Sequence, residues 1–187
     1  MRDLEDSFRS LRGQLLIAHP SLLDPHFRRS VVLLSEHSRE EGAIGVVLNR
    51  PLDTTLGSLR PQFADSDLGE VPVYEGGPVQ TESLILAAWR WNADETELKL
   101  HFGIPPERVL ALLESEPAYE VRAFRGHAGW GEGQIEGELA ENAWLVAPMS
   151  TELLDSERIP EAWRSGVLKL SPDLRFLVDA PDDPSLN

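Results

Sequence analysis

Short apolar runs separated by polar, turn-forming stretches dominate this chain. Leu4, Phe8 and Leu11 stand at helical spacing, which predicts an N-terminal helical extension over residues 1–12. Residues 15–18 read as a buried strand ended by His19-Pro20, and Asp24-Pro25 suits a turn or helix start. The apolar, β-branched runs 31–34 and 44–48 flank a polar stretch, the pattern of a hairpin. Pro51 should end the second of these strands, because proline cannot donate a ladder hydrogen bond. Residues 52–70 read as a surface connection with one helical turn near 56–59. Strands are predicted over 71–74, 84–89, 98–102, 120–124 and 144–147, with a glycine turn at 76–77. Pro105-Pro106-Glu107 opens a helix with the apolar face Val109, Leu112 and Leu113. Ile135 and Leu139 mark a second helix, and Ile159, Trp163, Val167 and Leu170 a third. Residues 180–187 form a polar tail expected to be loosely held. Paired strands with helices interspersed late predict an α+β fold in a single domain spanning 1–187, rather than a doubly wound parallel sheet.

Composition narrows the function classes. The 187 residues contain no cysteine, so disulfides and thiolate chemistry are excluded. The polar, acidic start is unlike a signal peptide, and no apolar run approaches membrane-spanning length, so a cytoplasmic protein without membrane association is expected. The formal net charge is −15, and its distribution is uneven. Residues 1–64 hold eight acids and eight arginines, whereas residues 65–187 hold twenty-four acids against nine basic residues. Such a surface repels phosphate backbones, and no helix-turn-helix pattern with basic recognition residues is visible. Direct DNA binding is therefore not expected.

The glycine block 126–133 resembles an anion cradle, since glycines allow close backbone approach and Gln134 begins a helix. It lacks the lysine and hydroxyl of a P-loop, and Glu132, Glu136 and Glu138 would repel phosphate. The structural alternative is a tight strand-to-helix turn that packs Trp130. Histidines 19, 26, 37, 101 and 127 lack the paired spacing of zinc sites; a site assembled from His19, His26 and Asp24 competes with ordinary turn and surface roles. No metal and no cofactor are expected. There is no Gly-x-Ser-x-Gly elbow and no Ser-x-x-Lys pair, and no catalytic residue is assigned. Asp24, Ser30, Asn49 and Arg50 flank apolar strands in the charge-balanced third. They serve either as caps and turn locks or as part of a ligand or partner surface.

Two motif blocks lie about a hundred residues apart. The first runs Gly13-Gln14-Leu15-Leu16-Ile17-Ala18-His19-Pro20, through Asp24-Pro25-His26-Phe27, to Ser30-Val31-Val32. The second is Gly126-His127-Ala128-Gly129-Trp130-Gly131-Glu132-Gly133-Gln134, followed by Glu138-Leu139 and Asn142-Ala143-Trp144-Leu145. With Gly45, Asn49-Arg50-Pro51 and Gly76-Gly77-Pro78 between them, the chain resembles the YqgE/AlgH family of bacterial proteins from about Gly13 to Leu170. That resemblance implies a bifurcated, mostly antiparallel sheet folded into a pseudo-barrel with flanking helices. The family has no established biochemical activity, and its AlgH branch carries the label of a transcriptional regulator. A non-enzymatic binding or indirectly regulatory protein, working through a protein or small-molecule partner, is one expectation. The alternative is a small-ligand-binding protein or enzyme with a cleft between segment 24–30 and turn 126–134. The surface common to both comprises Asp24, Ser30, Asn49, Arg50, Gly76, Gly77, Gly129, Trp130 and Gln134.

Overall fold

The valine- and leucine-rich runs become the middle of a nine-stranded sheet, because each buries apolar side chains that a neighbouring strand covers. The computed structural model describes residues 8–92, 94, 97–115, 118–155 and 158–180. Strands β1 (Gln14–Ala18), β2 (Val31–Ser38) and β3 (Gly42–Val47) pair antiparallel in sequence, and β9 (Trp144–Pro148) pairs antiparallel with β1. The remaining strands are β4 (Pro51–Thr55), β5 (Pro72–Glu75), β6 (Val79–Trp91), β7 (Leu98–Phe102) and β8 (Glu120–Trp130). The order is β4-β5-β8-β3-β2-β1-β9, with β6 branching from β8 and carrying β7. Only β5 and β8 run parallel. The fold is thus α+β, with a mostly antiparallel sheet that bifurcates at β8. The sheet is not closed into a barrel, since β4 and β9 stand at the two ends of its path.

Two cores result. The larger, including Leu16, Val32, Val47, Phe124 and Trp144, lies under α3 (Gln134–Ala140) and α5 (Ile159–Leu170). On α5 the helical spacing is realised, with Ile159, Trp163 and Val167 buried and Leu170 at the rim. Gly166 brings that helix close to the sheet, for a Cβ there would sit 2.6 Å from Ile17 Cδ1. The smaller core, including Leu56, Leu68, Leu86 and Val109, lies under α1 (Leu56–Leu59) and α2 (Pro106–Ser115). Two short helices, α4 (Thr151–Leu154) and α6 (Arg175–Val178), lie towards the C-terminus.

Three elements differ from the sequence expectation. The glycine block is strand, not a strand-to-helix turn: Ala128, Gly129 and Trp130 pair with Gly45, Ile44 and Ala43. Pairing with a neighbour on each side outweighs the weak strand preference of glycine, and the turn into α3 comes only at residues 131–133. Pro51 closes no strand segment but begins β4, at the sheet's edge, where a missing N–H costs nothing. Residues 8–12 are not helical. Their polar groups are held by β2 instead, with Leu11 N–H donating to His37 Nδ1 and Ser10 Oγ to the His37 carbonyl. Residues 1–7 of the expected extension and 181–187 of the tail lie outside the described residues.

Candidate functional site

Segment 24–30 is a tight turn whose geometry is set by the Phe27 and Arg28 N–H groups, both of which donate to the Asp24 carbonyl. The exposed Asp24 carboxylate accepts from His26 N–H at 2.8 Å, a local turn of the kind aspartate favours. Two side chains from beyond β3 then lock this turn. Asn49 accepts from Val31 N–H at 2.8 Å and donates to the Arg29 carbonyl at 2.9 Å, so its amide substitutes for a strand rung. Arg50 donates to the carbonyls of Pro25 and Arg28, and its other nitrogen lies 3.9 Å from the Glu75 carboxylate. Ser30 is fully buried, and among the described residues its hydroxyl has no hydrogen-bond partner.

The same surface continues through the glycine pair. The Arg50 carbonyl accepts from Glu75 N–H, and the Gly76 carbonyl accepts from Val47 N–H. Gly77 has φ +149°, and a Cβ there would meet the His127 carbonyl carbon at 2.3 Å. Only glycine permits β8 to pass so close.

Beside it stands an aromatic cluster. Phe27 stacks on Trp130 with centroids 5.7 Å apart and meets Trp144 edge-on at 5.6 Å, while the two indoles are 6.0 Å apart. Both indole N–H groups donate to one oxygen of Glu138, at 2.9 Å from Trp130 and 2.7 Å from Trp144. Gln134 donates to the other oxygen at 2.8 Å and accepts from Gly131 N–H. The two sequence blocks therefore do meet. Where a cleft between segment 24–30 and the second block was expected, the Phe27 ring packs directly against Trp130. On the open face of the sheet, exposed Gly129 lies opposite Ile44 on β3 and next to Val79 on β6, and both of these apolar side chains are well exposed.

Sequence reasoning missed two polar residues. Arg122 on β8 is 2% exposed, with its guanidinium 4.9 Å from the Tyr74 ring and 4.8 Å from that of Trp89. It donates to the Leu154 carbonyl through Nη2, while Nη1 has no hydrogen-bond partner among the described residues. Burial lowers its pKa from the ordinary arginine value, opposed by the neighbouring Tyr74, Glu120 and Asp155. Its side chain shares a strand face with Phe124, and that alternation was the available clue. His37 is the second. Its Nδ1 accepts the Leu11 N–H, so Nε2 carries the proton and donates to Glu136 Oε1 at 3.0 Å. Both ring nitrogens are occupied by the fold. Among the described residues, no three His, Asp or Glu side chains converge as a metal site would require, and no helix is long and apolar enough to cross a membrane.

Known proteins resemble this chain over most of its length. The AlgH-like family model matches residues 15–175. A UPF0301 protein of Streptomyces coelicolor is 37% identical, covering 95% of this chain and 96% of that protein. Another from Thioalkalivibrio sulfidiphilus is 34% identical, covering 88% and 92%. The solution structure of the AlgH protein from Pseudomonas aeruginosa superposes with a TM-score of 0.62 at 27% identity, covering 98% of this chain and 100% of that one. A crystal structure of a protein from Corynebacterium diphtheriae gives a TM-score of 0.65 at 23% identity, covering 92% and 94%. With its two blocks joined around Phe27, Trp130 and Trp144, and its whole fold shared with these proteins, the chain belongs to the AlgH-like, UPF0301 family.

Proposed function

We propose that this chain is a cytoplasmic, non-enzymatic binding protein that acts in regulation indirectly, through a protein or small-molecule partner and without touching DNA. The observation that carries this reading is how the motif side chains are used. Asn49 and Arg50 bind main-chain groups of segment 25–31, Glu138 bridges two indoles, and Gly76 and Gly77 let strands approach. Each builds a rigid scaffold, and pre-organised scaffolds favour recognition by lowering the ordering cost of binding. What that scaffold presents on the open sheet face is an apolar strip of Ile44, Gly129 and Val79, while Gln134 and Asp24 are exposed elsewhere on the motif surface.

Charge argues against nucleic acid as the partner. Arg28, Arg29 and Arg50 are the cations of this surface, and Arg50 is committed to carbonyls and Glu75, whereas Arg29 lies over Trp163 and donates to the Ala180 carbonyl. Steep salt-dependent DNA binding takes roughly 6–10 phosphate contacts. A gel shift with duplex DNA at about 50 mM salt, where electrostatic attraction is least screened, should show no complex at micromolar protein. Sub-micromolar, sequence-dependent binding by pure protein would refute the indirect role. A thermal-shift panel of metabolites and nucleotides tests the small-molecule arm, since a ligand at 100 times its Kd stabilises by about 2.7 kcal/mol.

A further inference from the structure

A second site lies where the smaller core is incompletely roofed, and reaches the motif surface only at Arg125, whose carbonyl accepts from Gly76 N–H. A groove of about 560 Å³ opens between α1, the 3-10 turn Pro61–Phe63, the middle of β6 and the loop that leads into α2. Its floor is Leu56, Phe63, Leu84 and Ile104, all members of the smaller core or packed on it, and the last three keep part of their surface open. That volume falls within the roughly 300–1,000 Å³ of small-molecule sites.

The charged residues at the groove are Arg60 and Glu82, and Arg125 stands in an adjoining cavity, in a protein whose net charge is −15. Arg60 donates two bonds to main-chain carbonyls, from Nη1 to Leu59 of α1 and from Nη2 to Glu82 of β6. A guanidinium has five N–H groups, so three remain for a ligand. Arg60 and Arg125 together line a small adjoining cavity of about 110 Å³. Among the described residues, neither has a carboxylate within ion-pair distance. Cations left unpaired in so acidic a chain mark a place where an anion is welcome, and an arginine fork matches a carboxylate. Glu82 lines the same rim. Its charge opposes any anion, and opposes a doubly charged phosphate more than a single carboxylate.

We infer that this groove binds a small apolar carboxylate, with the aliphatic part on Leu56, Phe63, Leu84 and Ile104 and the carboxylate on Arg60, supported by Arg125. This reading is independent of the motif surface and of its partner. Octanoate is the probe, titrated into the full chain by calorimetry and by amide chemical shifts, with octanol as the uncharged control. Octanoate should saturate at one per chain, shift residues 56–63, 82–86 and 103–106, and bind at least tenfold more tightly than octanol. Arg60→Gln should weaken octanoate at least tenfold and leave octanol unchanged, and Glu82→Gln should tighten octanoate. Ser83 is exposed on the wall of the groove that Arg60 also lines, so Ser83→Glu adds a carboxylate to that wall without touching the core. It should abolish octanoate binding, and it carries the test should Arg60→Gln unfold. No saturation by about 5 mM octanoate would overturn the assignment. Shifts confined elsewhere, equal binding of octanol, or unchanged affinity in Ser83→Glu would overturn it equally.

Discussion

Glu138→Ala isolates the polar bond network that holds the two motif blocks together. The carboxylate receives the indole N–H of Trp130 and of Trp144 on one oxygen, and both tryptophans are only 4% exposed. Deleting it strands two donors. A hydrogen bond to a charged group contributes about 1.5–3 kcal/mol, and an unsatisfied buried donor costs about 1–3 kcal/mol. Glu138 is itself half-buried, so the lower end applies to each bond, giving about 3 kcal/mol for the pair. The Gln134 bond adds little, because Gln134 is exposed, and alanine returns a few tenths of a kcal/mol in helix propensity. Urea denaturation followed by far-ultraviolet circular dichroism measures the loss from the shift in midpoint at constant slope. Glu138→Gln keeps an acceptor without the charge and should fall between. The decisive comparison is Glu138→Ala in a Trp130→Phe, Trp144→Phe background, where no indole N–H remains and the cost should drop below about 1 kcal/mol. An equal cost in both backgrounds, or a loss below about 1 kcal/mol in the native one, would refute the bridging role.

Trp144→Ala should cost about 3–5 kcal/mol by emptying the space beside the stacked Phe27 and Trp130 rings, both of which it meets edge-on. Calorimetric or chemical unfolding that finds less than about 1 kcal/mol would show that this indole is not a core element. Gly77→Ala should cost at least about 3 kcal/mol, from backbone strain of about 1–3 kcal/mol together with a clash against β8 main chain that cannot yield without breaking pairing. A soluble Gly77→Ala variant with wild-type melting temperature would contradict that close approach.

Much of this fold is legible in sequence, wherever a local rule and the tertiary structure agree. The hairpin of β2 and β3, the helix opened by Pro106, and the buried face Ile159, Trp163 and Val167 each follow from periodicity and local chemistry. The motif blocks also marked the surface where Asp24, Asn49, Arg50 and Gly76 come together. What sequence alone left open was decided by partners distant along the chain. β8 continues through its glycines because β3 and β6 pair with it, and residues 8–12 leave helical geometry because His37 takes the Leu11 amide. Whether Phe27 borders a cleft or fills it depends on Trp130, a hundred residues away, and no spacing encodes that packing. The same holds for Arg122 between two rings and for the groove beside Arg60. By itself the sequence determined most of the element types, the acidic balance and the family; the topology around β8, the strand character of the glycine block, the closed aromatic junction and the open groove came only with tertiary structure, because side-chain packing and unpaired charge are properties of residues brought together by folding.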